Sequence, residues 1–210
     1  MGTLSGNGAI TGIGETEYSR NSGRSSTALQ MEASLKAISD AGLSPKDIDG
    51  VIPYATGDTV AEDFITNFGL PDLRFSAVDC GVANHVLIPI GRNGASGVGG
   101  RIGNRVQHLP QFRVVGEFEM PLGQIAPAQL YAHMARRHME IYGTTSEQLG
   151  EIAVTIRQHA LLNDNAIMTK PMTLDDHQNS RIISDPLRLN DCCLESDGGA
   201  AIIVSSAERS

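Results

Sequence analysis

The sequence contains no tryptophan, and only 4% of its residues are aromatic. Proteins that bind single-stranded nucleic acid stack the bases on aromatic side chains, so this composition argues against that role. Positive charge is scarce too, with 16 Lys and Arg against 24 Asp and Glu and a net charge of −8. A chain of this charge has no general attraction for nucleic acid, and we expect no nucleic-acid partner.

Cysteine is rare: Cys80, Cys192 and Cys193 are the three in the chain. An odd number with one adjacent pair does not suit a disulfide framework, and we expect all three to pack as small buried residues. No CxxC spacing or Cys/His cluster of the zinc type occurs, so we expect no metal site.

Long apolar runs are also missing. No stretch of about 18 apolar residues occurs, and a bilayer-spanning helix needs roughly that length. The N-terminus lacks the basic-then-apolar pattern of a secretory signal. We therefore expect a chain without a membrane span, located in the cytoplasm.

The regular elements that are present alternate between strand and helix. Residues 9–13 read as a buried strand, 24–41 as a helix and 50–54 as a second strand. A short helix over 60–68 and a strand over 74–79 follow. Alternation of this kind predicts parallel pairing and an α/β fold.

A second helical region lies in the later half of the sequence. Residues 127–142 form a strong helical pattern with proline in the first turn, and another helix begins at Thr145. In that helix the apolar residues form one stripe that includes Leu149, Ile152 and Ile156. A helical turn over 174–179 and a buried strand over 199–205 complete the pattern.

The segment 82–116 differs from its surroundings. It holds six glycines in about 13 positions, and each disfavours a helix by about 1 kcal/mol relative to alanine. We expect a loop, a strand–turn–strand piece or no regular structure there. Proline residues Pro89 and Pro110 flank the glycines.

Several motifs resemble one family. The helix ALQMEASLKAISDAGLSPKDIDGVI and the ending ISDPLRLNDCCLESDGGAAIIVSSAER are similar to thiolase-superfamily proteins of the lipid-transfer-protein-like and acetyl-CoA acetyltransferase branch. The resemblance covers about 8–81 and 117–209. It implies that residues 1–210 form a thiolase-like N-terminal half-domain with a mixed sheet flanked by helices, and that the C-terminal half of the family fold is absent.

The resemblance also implies a function. Members act on or bind acyl-CoA thioesters, as acyltransferases or as lipid-transfer or aldolase-type proteins, with no resident cofactor but with a coenzyme A thioester as substrate or ligand. They form homodimers, and some aldolase-type relatives work with a partner subunit. As a truncated chain, this protein is expected to be inactive on its own, and in particular to have no thiolase activity.

The nucleophile of true thiolases falls on Val82 when the family's VNxxCASG turn is matched to this sequence. Valine cannot attack a thioester, and Cys80 lies two residues early. Cys80 and His85 are the candidate catalytic residues, although we expect a buried structural cysteine and a solvated loop histidine. One hypothesis is that residues of about 82–115 were translated from a shifted reading frame; an inserted loop is the alternative.

Other interpretations remain open. A non-catalytic acyl-CoA or lipid-binding subunit that docks on a partner is one. An NAD-binding oxidoreductase is another, because NGASGVGG follows an apolar run and Glu117 lies about 20 residues further on. That interpretation is disfavoured, since Pro89 would interrupt the first strand and the following helix would contain Gly100 and Gly103. Arg136 and Arg137, next to His138, could meet a coenzyme A phosphate or coat a solvated helix face, and we favour the solvated face.

Overall fold

The structure, a computed structural model, describes residues 6–53, 59–70, 73, 75–76, 83–97, 113–124 and 126–208. Cys80 and Val82 lie outside these residues. The chain divides into two units, which we describe separately. One comprises Met1–Gly99 with Glu195–Ser210, and the other comprises Gly100–Leu194.

The first unit is built from strands and helices that alternate along the chain. Its elements are β1 (Gly8–Glu15), α1 (Ser26–Asp40), β2 (Gly50–Val51), α2 (Ala61–Phe68), β3 (Phe75–Ser76), β4 (His85–Asn93) and, after the second unit, β7 (Asp197–Ser206).

These strands form one sheet in the order β1-β7-β4-β2-β3. β2 pairs in parallel with both β3 and β4, whereas β7 runs antiparallel to β1 and β4. The sheet is therefore mixed, and the predicted α/β class with flanking helices is confirmed.

Helix α1 covers one face of this sheet. Ser25 caps its first turn by accepting a hydrogen bond from the backbone N–H of Ala28 at 3.1 Å, which satisfies a donor that the helix leaves free. The buried side chains of α1 and α2 pack against those of the strands in one apolar core. That core contains Ala33, Ala37, Ile38, Ile48, Val51, Phe64, Leu70, Leu87, Ala201 and Ile203.

Strand β1 lies unusually close to α1. A Cβ atom added to Gly14 would lie 2.2 Å from the carbonyl oxygen of Ala33, and one added to Gly12 would lie 2.2 Å from that of Ala37. Only glycine allows this approach, because both distances are far below van der Waals contact.

Strand β4 arises from the segment 82–116, for which a loop, a strand–turn–strand piece or no regular structure was expected. It occupies the centre of the sheet, between β2 and β7, and Pro89 lies within it. The expectation that Pro89 would interrupt a strand was wrong. The last residue of β2 that pairs with β4 is Val51, which lies opposite Leu87. Pro89 comes two residues later in β4, so its missing N–H lies beyond the part of the strand that pairs with β2.

The second unit is mainly helical. It contains α3 (Pro127–Tyr142), α4 (Ser146–Ala160), α5 (Leu174–Gln178) and a hairpin of β5 (Ile182–Ser184) and β6 (Leu187–Arg188). The bounds of α3 match the prediction. Two residues of the apolar stripe of α4, Ile152 and Ile156, are exposed.

A buried polar pair lies inside this second unit. His177 has no solvent exposure, and its Nε2 lies 2.7 Å from Oδ1 of Asp191. The imidazole also fills the space beside Gly150 of α4, where an added Cβ would lie 2.7 Å from Nδ1. The pair therefore fixes α5 against both α4 and the turn that contains Asp191.

Candidate functional site

The carboxyl ends of parallel strands are where α/β proteins place their sites. In the first unit the parallel strands end at Val51, Ser76 and Asn93, which lie at one edge of the sheet. The start of β7 is opposite the end of β4, since Asn93 pairs with Asp197. Polar side chains at this edge are therefore the first candidates for a site.

Asp197 is a fully buried carboxylate at this edge. Its Oδ2 accepts hydrogen bonds from the backbone N–H and the hydroxyl of Ser22, each at 2.8 Å, and from the Ser96 hydroxyl. Its Oδ1 accepts from the backbone N–H groups of Ala95 and Ser96 at 2.9 and 3.0 Å. One side chain thus joins the loop before α1 to the turn after β4.

The ionised form of Asp197 is strongly favoured. Burial by itself raises the pKa of this carboxyl, but the hydrogen bonds from Ser96 and Ser22 outweigh burial and hold the pKa far below its usual range. A carboxylate with so low a pKa is a poor proton acceptor near neutral pH. Asp197 is therefore suited to hold the turn in place and is unsuited to general base catalysis.

A second polar group lies on α1 near the same edge. Gln30 is fully buried, donates from Nε2 to the carbonyl oxygen of Gly91 at 3.2 Å, and accepts from the Thr59 hydroxyl at 2.6 Å. Ser26 donates to Oδ1 of Asn93 at 2.9 Å. These bonds tie α1 to β4 and to Thr59, and together with Asp197 and its donors they form a polar frame around the end of β4.

The frame was not predicted from the sequence. The signal that could have revealed it is Asp197, an acidic residue at the start of the otherwise apolar strand DGGAAIIVSS. Asp197 also belongs to the ESDGG motif within the family resemblance. Gln30 and Ser26 gave no such signal, because polar residues are ordinary on the exposed face of a helix.

His85, a predicted candidate, lies at the opposite edge as the first residue of β4. Its Nδ1 is 2.8 Å from Oγ of Ser205, and its backbone N–H donates to Oδ1 of Asp49 at 2.8 Å. Burial by itself raises the pKa of Asp49. Hydrogen bonds from the backbone N–H groups of His85 and Asn84 outweigh burial, so the pKa of Asp49 is lowered. His85 is half-buried in a strand, in contrast to the solvated loop position that we expected.

The remaining candidates lie in the second unit. Arg136 forms an ion pair with Asp185, and His138 lies beside Tyr142 with its Nδ1 3.0 Å from the Thr144 hydroxyl. Cys192 is half-buried, while Cys193 is exposed, contrary to the expected burial. Burial and then the neighbouring Asp191 raise the pKa of the Cys192 thiol, so Cys192 is not an activated nucleophile.

The geometry around Glu117 removes the main support for nicotinamide dinucleotide binding. Glu117 lies in a helical turn over Val115–Glu119 and pairs with Arg113 at 3.0 Å. A ribose-binding acid would instead follow the end of a strand. Across the described ranges, no group of three or more His, Cys, Asp or Glu side chains could hold a metal ion. No helix among them is long and apolar enough to cross a bilayer.

Comparison with known proteins identifies related sequences, although no family model matches the chain. The "Steroid side-chain-cleaving aldolase" of Thermomonospora curvata is 42% identical over 232 aligned positions, which include all of this chain and 59% of that protein. The "17-hydroxy-3-oxo-4-pregnene-20-carboxyl-CoA lyase" of Mycobacterium tuberculosis is 41% identical over 229 positions, or 98% of this chain and 59% of that protein.

Solved structures agree with the sequence relatives. The "Ltp2-ChsH2(DUF35) aldolase" has a TM-score of 0.85 and 40% identity over 99% of this chain and 57% of that one. A monomeric SCP2-thiolase-like protein of Mycobacterium smegmatis shares the fold, with a TM-score of 0.70 at 16% identity, over 97% of this chain and 46% of that one. The chain thus spans little more than half the length of the curated relatives it matches. The chain belongs to the thiolase superfamily, in its lipid-transfer-protein-like branch, and carries the N-terminal half-domain of that fold.

Proposed function

We propose that this chain is the acyl-CoA-binding part of an aldolase-type enzyme that cleaves a steroid side chain held as a coenzyme A thioester. The observation that carries this proposal is the identity of 42% and 41%, over essentially the whole chain, with an aldolase and a lyase of that description. Similarity this high makes a shared substrate class a reasonable inference. A shared fold alone would not support that inference, because one fold serves many activities.

The sequence at the nucleophile position favours aldol chemistry over acyl transfer. Acyl transfer by thiolases needs a thiolate at the start of a helix, and this position is Val82. Retro-aldol cleavage needs no nucleophile of that kind. A base takes the proton of the hydroxyl, the bond to the carbon beside the thioester breaks, and its electron pair forms the thioester enolate. The hydroxyl-bearing carbon becomes a ketone, and the enolate takes up a proton.

The described residues contribute positioning to this reaction. Asp197 and Gln30 hold the loop before α1, the end of β4 and the following turn in one arrangement. Asp197 is surrounded by donors and has a strongly lowered pKa, so the base that takes the hydroxyl proton is a different group. We propose that the polar frame shapes the wall of the site where the thioester lies.

A partner subunit is part of this proposal. The related solved structure is named as a complex of an Ltp2 aldolase with ChsH2, a DUF35 protein. We propose that the present chain also assembles with a subunit of the DUF35 type. We also propose that the chain forms a homodimer, as expected from the family.

The test uses the purified chain with and without a DUF35 subunit. The substrate is 17-hydroxy-3-oxo-4-pregnene-20-carboxyl-CoA, and liquid chromatography with mass spectrometry follows the ketone product and the shortened acyl-CoA. We expect no thiolysis of acetoacetyl-CoA in either case, and cleavage of the steroid thioester in the presence of the partner. Thiolysis by the chain would overturn the proposal, as would the absence of both cleavage and binding.

A second candidate is a non-catalytic acyl-CoA-binding subunit. The observation in its favour is that the polar side chains at the carboxyl edge hydrogen-bond to one another, which suits a rigid binding wall. Isothermal titration with the same thioester distinguishes the two candidates. Binding with no product, even with the partner present, would support the binding subunit over the aldolase.

A further inference from the structure

Two adjacent cysteines, Cys192 and Cys193, lie close to the end of the second unit. Cys192 is half-buried and Cys193 is exposed, so one thiol is open to solvent while the other lies partly within the protein. Neighbouring thiols can be oxidised together, because two thiols supply the two electrons that a disulfide exchange requires. Neither thiol has a part in the proposed function.

The backbone and the thiol of Cys192 both belong to one tight turn. The turn contains a 3-10 helix over Leu189–Asp191, and the N–H of Cys192 donates to the carbonyl oxygen of Leu189 at 3.2 Å. The Sγ atom of Cys192 donates to the carbonyl oxygen of Arg188 at 3.4 Å. A cysteine sulfur donates only while it carries a hydrogen, so this contact belongs to the reduced chain.

The same turn holds the buried polar pair of the second unit. Oδ2 of Asp191 accepts from the backbone N–H of Arg188 at 2.7 Å, and Oδ1 of Asp191 lies 2.7 Å from Nε2 of His177. His177 has no solvent exposure and fills the space beside Gly150 of α4. The conformation of the turn around Cys192 is therefore linked to the packing of α5 against α4.

The two thiols differ in how readily they react. The thiolate is the reactive form of cysteine, and burial followed by the neighbouring Asp191 raises the pKa of the Cys192 thiol. Cys193 is exposed, so a dissolved disulfide reaches it first. Once Cys193 carries a mixed disulfide, Cys192 is the adjacent residue, and its high local concentration offsets its small fraction of thiolate.

A disulfide between adjacent residues would be reversible and would change the turn. Consecutive Cα atoms lie about 3.8 Å apart, whereas disulfides usually join Cα atoms about 4.4 Å or more apart. Strained disulfides are easily reduced, which is typical of regulatory disulfides. The backbone of Cys192 is extended, with φ −102° and ψ 141°, and successive side chains of extended backbone point to opposite sides. The two sulfur atoms therefore meet only if the backbone at Cys192 rotates.

We propose that Cys192 and Cys193 form a reversible redox site for small-molecule disulfides of the glutathione type. The thiolate of Cys193 attacks one sulfur of glutathione disulfide and releases one glutathione, which takes up the proton that Cys193 lost. The thiolate of Cys192 then attacks the sulfur of Cys193 and releases the second glutathione, which takes up the proton of Cys192. The dithiol is thus oxidised to one disulfide, and one glutathione disulfide is reduced to two thiols.

Oxidation has a structural consequence in this proposal. The sulfur of Cys192 loses its hydrogen and with it the bond to the carbonyl oxygen of Arg188. Rotation at Cys192 also moves the turn that carries Asp191, so the support of Asp191 for His177 weakens. Helix α5 then opens from α4 more often. This inference is independent of any activity of the chain.

The first test measures the bond itself. The full chain is treated with glutathione disulfide, and peptide mapping and intact mass are read before and after reduction with dithiothreitol. In a Cys80→Ser chain, which keeps only the adjacent pair, we expect a reversible loss of about 2 Da. Adding Cys192→Ser to that chain should leave a glutathione adduct of about 305 Da on Cys193, because the second exchange has no thiol. A persistent adduct on the chain with both cysteines, or no reaction, would overturn the proposal.

The second test measures the structural consequence in the wild-type chain. Hydrogen exchange is compared between the reduced and the oxidised protein, and we expect amides of α5 and of the part of α4 around Gly150 to exchange at least about threefold faster after oxidation. Amides of α1, in the other unit, should be unchanged. Cys192→Ser treated in the same way is the control, because it acquires the adduct without the ring. Equal exchange in α5 of the reduced and oxidised wild type, or the same acceleration in the control, would contradict the inference.

Discussion

The carboxylate of Asp197 accepts both the backbone N–H and the side-chain hydroxyl of Ser22, each at 2.8 Å. The two residues are separated by 175 positions in the sequence. Because Ala95 and Ser96 also donate to the same carboxylate, this contact joins three distant segments around one buried charge.

We predict that Asp197→Asn lowers the free energy of unfolding by about 3 kcal/mol, because an amide places donors where N–H and O–H donors already point. Urea denaturation of the purified chain measures this loss. Asp164→Asn is the control, since Asp164 is exposed and should change stability by less than about 0.5 kcal/mol. Equal stability of the two variants would contradict the role assigned to Asp197.

The same carboxylate predicts a dependence of stability on acid. The pKa of Asp197 in the folded chain is far below the ordinary value of about 4, so the unfolded chain takes up a proton first as the pH falls. The stability that the ionised Asp197 contributes is fully present above pH of about 4 and is lost progressively below that value. Urea midpoints between pH 7 and pH 3 should fall less steeply in Asp197→Asn than in the wild type. Parallel slopes would show that the group does not titrate as described.

The contact between β1 and α1 predicts different costs for two glycine substitutions in one strand. Gly14→Ala should destabilise the chain by about 3 kcal/mol, because the added methyl meets the backbone of Ala33 and the helix must move. Gly8→Ala should change stability by less than about 0.5 kcal/mol, since its nearest atom would be 3.7 Å away. Thermal unfolding of the two variants checks the difference, and similar melting temperatures would contradict it.

A related test applies to the second unit. Alanine favours a helix by up to about 1 kcal/mol over glycine, yet Gly150→Ala should destabilise the unit by about 1–2 kcal/mol. The added methyl would lie 2.6 Å from Leu174 and 2.7 Å from the imidazole of His177, which is held by Asp191. Gly116→Ala, with no atom within 4 Å, is the control. Hydrogen exchange in α4 and α5 should report faster opening in Gly150→Ala alone.

Local patterns in the sequence predicted the elements with long, regular spacing. The bounds of α1, α2 and α3 and the start of α4 agree with prediction to within two residues, since helical periodicity and caps such as Ser25 and Thr145 are encoded locally. The alternation of strand and helix also predicted parallel pairing, which β2 makes with β3 and β4. Family motifs in the same sequence indicated the thiolase superfamily.

Strand β4 shows where local patterns failed. Its sequence HVLIPIGRN contains proline and glycine, which weaken a strand considered alone. Its place between β2 and β7 satisfies its backbone from both neighbours, and that gain depends on strands far away in the sequence.

The sequence by itself determined the fold class, the main helices and the superfamily. Only the tertiary structure decided that Asp197, Ser22 and Ser96 meet and that His85 lies at the edge away from them. The physical reason is the range of the interactions. Periodicity, caps and motifs act over a few residues, whereas a buried charge and a sheet face are formed by segments that only folding brings together.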